Sequence, residues 1–268
     1  MDKDLLNQKY HKITKLEQFA NFIKGKKVAI IGPAPSVKDI EEGINIEQEY
    51  DLIVRINQQW KHHSDLDKYI GKRTDILYYC MDPRPDCGGS LDFDYLVDNN
   101  LKYIISTIKY DFNNKQHRDK MFHCNSFLNW YYDFHIENNN RIKFIPIDSK
   151  FYDHYDQLAQ TRINTGLMAI IHLMQFNLQK LYIKGFTFFL DGYLLDYRST
   201  INNKICIDEQ DTKEKVIDYM VKKNSNHNQQ LQWELFKKIN NDKKKKLNIL
   251  LDPKLKQIIE LEQFPEEI

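Results

Sequence analysis

Cysteine is scarce in this chain: Cys80, Cys87, Cys124 and Cys206 are all it has in 268 residues. Four are too few for a disulfide framework, and their spacings match no zinc ribbon, finger or redox pair, so they read as structural thiols. An excess of one charge is missing too. The 39 Lys and Arg against 38 Asp and Glu leave a net charge of +1, which creates no global field to draw in nucleic acid or an anionic membrane. Any anion must meet a local site. No run approaches the roughly 20 apolar residues needed to span a bilayer, so no transmembrane segment is expected. The start, Met1-Asp2-Lys3-Asp4, lacks the apolar region and cleavage site of a signal peptide, and the expected location is cytoplasmic. Also absent are a G-x-x-x-x-G-K-[ST] phosphate loop and the G-x-G-x-x-G dinucleotide fingerprint, which argues against an NTPase and an NAD enzyme. There is no internal repeat.

What the chain does have is 41% hydrophobic and 13% aromatic residues, enough for one sizeable core or two unequal lobes sharing a cleft. The expectation is one α/β domain over residues 1–268, divided into an N-terminal helix (1–25), a nucleotide-binding core (27–186) and a C-terminal part (187–268). Leu5, Leu6, Tyr10, Ile13, Leu16, Phe19, Phe22 and Ile23 recur every three or four residues and predict an amphipathic helix ended by Gly25. It packs on the sheet or on a sister subunit, so a homo-oligomer stays open. Lys27-Val28-Ala29-Ile30-Ile31-Gly32 reads as a buried parallel strand stopped by glycine. After the turn Pro33-Ala34-Pro35-Ser36, residues 37–43 read as a brief helix closed by Gly43. Further strands are predicted at 51–57, 75–80, 102–107, 141–147, 181–184 and 247–251. Helices are predicted at about 167–176, from His227 to about residue 240, and after Asp252-Pro253. Residues 202–215 read as a surface loop, and Lys243-Lys244-Lys245-Lys246 as a solvated helix end. Alternating strand and helix calls for a mostly parallel, Rossmann-like sheet.

A strand ending in glycine before a tight turn is a general phosphate cradle, because backbone N–H groups and a helix dipole face the ligand. Order and spacing add specificity. The blocks are Val28 to Ser36, then Tyr50-Asp51-Leu52-Ile53-Val54-Arg55-Ile56-Asn57, then Asn164-Thr165-Gly166 with Gly185-Phe186, then His227 with Glu234. That series resembles the sialyltransferase-like glycosyltransferases, whose large, small and very small sialylmotifs follow this order. The resemblance implies a Rossmann-like domain of the glycosyltransferase type with no D-x-D metal site, and a CMP-sugar donor. It further implies donor contacts at Gly32, Ala34, Ser36, Asn57, Asn164, Thr165, Gly166 and Tyr193, and a catalytic base at His227. The reaction implied is an inverting transfer of sialic acid, or of a related ulosonic acid such as Kdo, to a hydroxyl of a glycan or glycolipid acceptor.

The family's Golgi members join the two larger motifs by a disulfide, but Val28 and about Leu178 stand at those positions, which suits a reducing compartment. In place of a His-Tyr-rich third motif the chain has Asp191-Gly192-Tyr193-Leu194-Leu195-Asp196-Tyr197, with no histidine. Arg55 reads equally as a donor contact or as a structural residue held by Asp51 or Asp75.

The chemistry can be argued without the family. A CMP-linked ulosonic sugar has a good leaving group, so no metal and no cofactor is expected. What remains is to take a proton from the acceptor, which an imidazole with an ordinary pKa of ~6.5 suits. The D-x-D strings Asp92-Phe93-Asp94 and Asp65-Leu66-Asp67 read as chance, His62 and His63 as surface residues, and His172 as a core or pocket-rim residue. Tyr79 and Asp82 end a strand at the ligand edge and read as lining an acceptor cleft. Two other readings stay open: a nonenzymatic CMP- or glycan-binding relative, and a different nucleotide-dependent transferase.

Overall fold

Short, largely apolar runs favour burial on both faces, and seven strands assemble into one parallel sheet of order β5-β4-β3-β2-β1-β6-β7. In the computed structural model the residues described are 14–61, 64–85, 87–108, 125–192, 194 and 227–265. The strands are β1 (Lys27–Ile31), β2 (Leu52–Ile56), β3 (Ile76–Tyr79), β4 (Tyr103–Ser106), β5 (Lys143–Pro146), β6 (Lys180–Lys184) and β7 (Ile249–Leu251). The helices are α1 (Thr14–Ile23), α2 (Gly43–Glu49), α3 (Asp67–Ile70), α4 (Phe93–Asp98), α5 (Asn125–Asn138), α6 (Ser149–Ala159), α7 (Thr165–Leu173), α8 (Gln229–Lys243) and α9 (Pro253–Glu260). The α/β class with a parallel sheet is the one the sequence predicts.

Period-2 alternation sorts the strand side chains into two layers. One face carries Val28, Ile30, Val54, Ile76, Tyr78, Ile105 and Ile183, and α1 and α7 cover it in a single large core. The other face is split. Its β3–β5 side packs aromatic residues such as Phe93, Phe134 and Phe144, while its β1–β2 side packs Ala29, Ile31, Ile53 and Tyr182 against Val37 and Ile46. The buried charges Arg55 and Lys184 lie on this second face.

The chain leaves β1 toward β2 and returns through α7 to β6 on the other side, so β1 and β6 flank the topological switch where open α/β sheets bind ligands. β1 and β6 pair in register from Lys27↔Lys180 to Ile31↔Lys184. Just beyond, a Cβ on Gly32 would overlap the Gly185 carbonyl, and Gly185 itself has φ of +75°. Glycine is therefore required on both strands to let the two exits touch.

Three sequence expectations change. Residues 37–43 do not form a helix closed by Gly43: a 3-10 turn spans Pro35–Asp39, and Gly43 opens α2. A Cβ there would overlap the Asp67 carbonyl, so the glycine serves the close α2–α3 contact. The helix before β6 starts at Thr165 rather than 167, because the Asn164 side chain caps it. Helices α3, α4, α5 and α6 were not anticipated. The 202–215 segment and the first 13 residues of the predicted N-terminal helix lie outside the described residues. Among the described residues no helix is long and apolar enough to cross a membrane.

Candidate functional site

The polar residues at the C-terminal ends of β1, β2, β4 and β6 converge with the start of α7. Gly32 N–H donates to the Lys184 carbonyl at 2.7 Å and Ala34 N–H to the Gly185 carbonyl at 3.1 Å, which ties the turn after β1 to β6. Ser36 lies in the 3-10 turn, 8% exposed, and its Oγ has no hydrogen-bond partner. Thr187, just past β6, buries its Oγ1 in the same unpartnered way. A buried hydroxyl without a partner costs about 1–3 kcal/mol, so two of them beside the switch point mark a place made for a polar ligand.

Asn57 follows β2 with φ of +49°, a conformation asparagine tolerates better than most residues. Its Oδ1 accepts the Cys80 N–H at 3.0 Å, fixing the exit of β3. Asn164 caps α7: its Oδ1 accepts the Leu167 N–H at 2.9 Å, and its own N–H donates to Gln232 Oε1 at 3.0 Å. The N–H groups of Thr165 and Gly166 start the helix with no intrahelical partner, which makes this end an anion site in the general sense. Thr165 Oγ1 meets Thr107 Oγ1 at 3.3 Å, bringing α7 over the end of β4. A Cβ on Gly166 would sit 2.8 Å from the Phe186 ring, so this glycine lets the aromatic residue after β6 pack on the helix start.

His227 stands one residue before Asn228, the N-cap of α8, whose Oδ1 accepts the Leu231 N–H at 3.0 Å. Its Nδ1 lies 2.7 Å from the Arg162 carbonyl, and the Asn228 N–H donates to Thr161 Oγ1 at 3.0 Å. A carbonyl only accepts, so Nδ1 must carry the proton and the lone pair of the neutral ring is on Nε2. Gln232 and Gln229 sit below, almost wholly buried, with Gln232 Nε2 and Gln229 Oε1 unpartnered. The turn bearing His227 is thus bonded to the loop that leads into α7.

Other expected residues go elsewhere. Tyr79 is 3% exposed, stacks on Phe134 and donates its hydroxyl to the Gly89 carbonyl at 2.6 Å. Burial pushes that hydroxyl's pKa well up. Tyr79 therefore shapes the loop after β3 and does not present its side chain to a cleft. Asp82 is buried in the same loop and is gripped by Arg84, with Nη2 at 2.5 Å from Oδ2. Tyr193, Tyr197, His62 and His63 lie outside the described residues. Glu234 accepts from Gln230 Nε2 at 3.0 Å and lines a groove of about 450 Å³ between α6 and α8 that none of the expected donor residues, nor His227, lines.

Arg55 is held by backbone carbonyls and a threonine hydroxyl rather than by an ion pair with a described carboxylate, and its Nη1 is buried without a partner. Its guanidinium donates to the carbonyls of Ile70 and Gly71 at 3.0 and 2.7 Å and to Thr74 Oγ1 at 3.1 Å, and burial lowers its pKa to about 10. The D-x-D acids have protein partners: Asp92 caps α4, Asp94 pairs with Arg141, Asp65 with Lys38 and Asp67 with Lys72. His172 belongs to the core. Its Nδ1 is 2.8 Å from the Tyr78 hydroxyl, its ring is stacked parallel to Phe19, and burial lowers its pKa to about 3.

With the sheet order, the switch point and the loops above it in view, the comparison with solved structures is decisive for the fold. The architecture is similar to a sialyltransferase. The monofunctional alpha-2,3-sialyltransferase Cst-I from Campylobacter jejuni superimposes with a TM-score of 0.52 at 17% sequence identity, covering 91% of this chain and 81% of that one. A mammalian sialyltransferase gives a TM-score of 0.49 at 11% identity, over 94% of this chain and 85% of that one. No family model matches the chain. No curated protein matches it either.

Sequence reasoning missed Thr107, Thr187, Gln229 and Gln232. A signal for the two glutamines exists: they fall on the same helical stripe as Trp233, Leu235, Phe236 and Ile239, where an amphipathic helix should be apolar.

Proposed function

We propose that the protein is an inverting glycosyltransferase that moves a sialic acid or related ulosonic acid, such as Kdo, from its CMP-activated donor to a glycan or glycolipid hydroxyl. The observation that carries this reading is His227, its Nδ1 proton committed to the Arg162 carbonyl beside the capped start of α7. The shared sialyltransferase fold supports it. The donor lies over the β1/β6 switch, with Gly32, Ala34, Ser36, Asn57, Asn164, Thr165 and Gly166 around its nucleotide, and Tyr193 is a further donor contact in this reading. N–H groups at Thr165 and Gly166 stabilise the charge that builds on the departing CMP. The acceptor hydroxyl gives its proton to His227 Nε2 as its oxygen bonds to the anomeric carbon and the bond to CMP breaks. The loop from Cys80 to Gly89, with Asp82 in it, borders the acceptor side. No metal takes part in this scheme, and the reading includes a cytoplasmic location.

A nucleotide panel tests the donor. CMP should raise the melting temperature more than AMP, GMP or UMP, and at 100 times its dissociation constant it should add about 2.7 kcal/mol of stability. Equal shifts for all four would remove the cytidine site. Release of CMP from CMP-sugars separates the enzyme from a mere binder, and activity in excess EDTA is expected to persist.

A further inference from the structure

Lys184 ends β6 and is 2% exposed, yet it is charged. Its ammonium donates to Glu42 Oε1 at 2.6 Å and to the carbonyls of Ile40 and Tyr69 at 3.2 Å each. An ammonium group has three N–H donors, so these acceptors satisfy it completely. Glu42 is held again by the Tyr182 hydroxyl at 2.6 Å. An apolar pair of similar volume would stabilise such a place about as well, because desolvating two charges offsets most of their attraction. What an apolar pair lacks is direction. Here the three bonds draw together the residue that follows the 3-10 turn, the N-cap of α2 and the body of α3, all on the face of β6 away from α7.

The segment these bonds restrain, residues 35–42, carries the Ser36 hydroxyl that is buried without a partner. Left to itself, such a segment would gain by opening to water. Val37 adds van der Waals contact beneath Gly185, which does not fix the turn's orientation, and the pairs Lys38–Asp65 and Glu41–Lys68 that also reach the segment are solvent-exposed and hold it only weakly.

We propose that Lys184 is a positioning residue: by anchoring Ile40, Glu42 and Tyr69 it keeps the 35–42 segment, and with it Ser36, in the donor-binding arrangement when no donor is bound. This rests on the donor-site reading above. Lys184 does not touch the donor, and its effect is to spare the ligand the work of ordering the turn.

The test is the double variant Lys184→Met/Glu42→Gln, which removes both charges and keeps the chain lengths. Hydrogen exchange of the backbone amides of residues 36–42 should quicken about 10-fold or more, while exchange in β2 and β3 stays at the wild-type rate. CMP affinity by calorimetry should fall about 10-fold at a temperature where the variant is fully folded. Wild-type exchange in 36–42 overturns the anchor. Faster exchange with undiminished CMP affinity overturns the positioning role. If the double variant does not fold, Glu42→Gln alone is read by the same two measurements and the same criteria. If CMP fails to bind even the wild-type protein, the donor reading falls, while the exchange experiment still decides whether Lys184 holds the segment.

Discussion

The two ends of α7 treat an imidazole in opposite ways. At the C-terminal end His172 is sealed among Phe19, Phe151 and Phe176, with Tyr78 as its hydrogen-bond partner, and burial lowers its pKa to about 3. At the N-terminal end, across the loop that leads into Asn164, His227 is half-buried and bonded through one nitrogen to a backbone carbonyl. The same side chain is a packing unit in one place and, in the proposed function, the proton acceptor in the other. What separates them is access and the fixed tautomer, and a helix end with orphan N–H groups supplies an anion site only on the His227 side.

The hardest test of that contrast is His227→Ala. Losing a general base lowers turnover by about 100-fold or more, with CMP affinity near that of the wild type. Measurement of kcat and of CMP binding on the same preparation decides it. A variant turning over near the wild-type rate would place the base elsewhere, with Tyr193 and Tyr197 the next to be replaced.

The opposite end is broken by pH. The folded protein holds His172 neutral down to about 3, whereas in the unfolded chain it gains a proton near ~6.5. The unfolded state therefore binds more protons within that window, and the stability contributed by His172 is complete above it and lost as pH falls through it. One proton corresponds to about 1.4 kcal/mol per pH unit, so between pH 6.5 and 5 the loss approaches about 2 kcal/mol. The double variant His172→Phe/Tyr78→Phe removes both hydrogen-bonding partners together and leaves no buried group unpaired. Urea unfolding from pH 7 to 5 should show a shallower decline for this variant than for the wild type. Parallel curves would mean that His172 is hydrated in the folded protein.

The contrast between the helix ends also shows what the sequence could disclose. The strands were legible because Lys27-Val28-Ala29-Ile30-Ile31 and its counterparts are short, β-branched and stopped by glycine or a polar residue, signals that act within a few residues. Asn164 before Thr165-Gly166 was legible as a helix opening for the same reason. Gly43 was not: a glycine suggests a helix stop, and only the close approach of Asp67, 24 residues on, explains why it starts one. Helix α6 was missed although Asp148 caps it and Phe151, Tyr152, Tyr155 and Ala159 follow at helical spacing, a local signal that was there to be read. In the site, residue type and the resemblance pointed to His227 and the resemblance alone to Ser36, but Thr107 and Gln232 come from segments far apart in the chain, and only folding brings them to the start of α7. Tyr79 was read as lining a cleft because it ends a strand at the ligand edge of the sheet, a position that does not disclose that its ring packs into a second core.

The smallest expected effect concerns Asn164, which caps the N-terminal end of α7 and has two duties that one substitution would confuse. Its side chain caps α7 through the Leu167 N–H, and in the proposed function it also contacts the donor. Asn164→Ala removes both, and loss of a cap alone costs about 1 kcal/mol, or about 2–4 °C in melting temperature for a protein of this size. Asn164→Asp separates them. A carboxylate caps as well as an amide and interacts favourably with the positive end of the helix, so stability should match or slightly exceed the wild type. The same negative charge would face the phosphate of CMP, and affinity should fall although the fold is untouched. If Asn164→Asp binds CMP as the wild type does, the residue is a cap and nothing more, and the nucleotide lies away from the start of α7. If affinity falls while the melting temperature holds, the helix end that accommodates His227 is also the end that holds the donor.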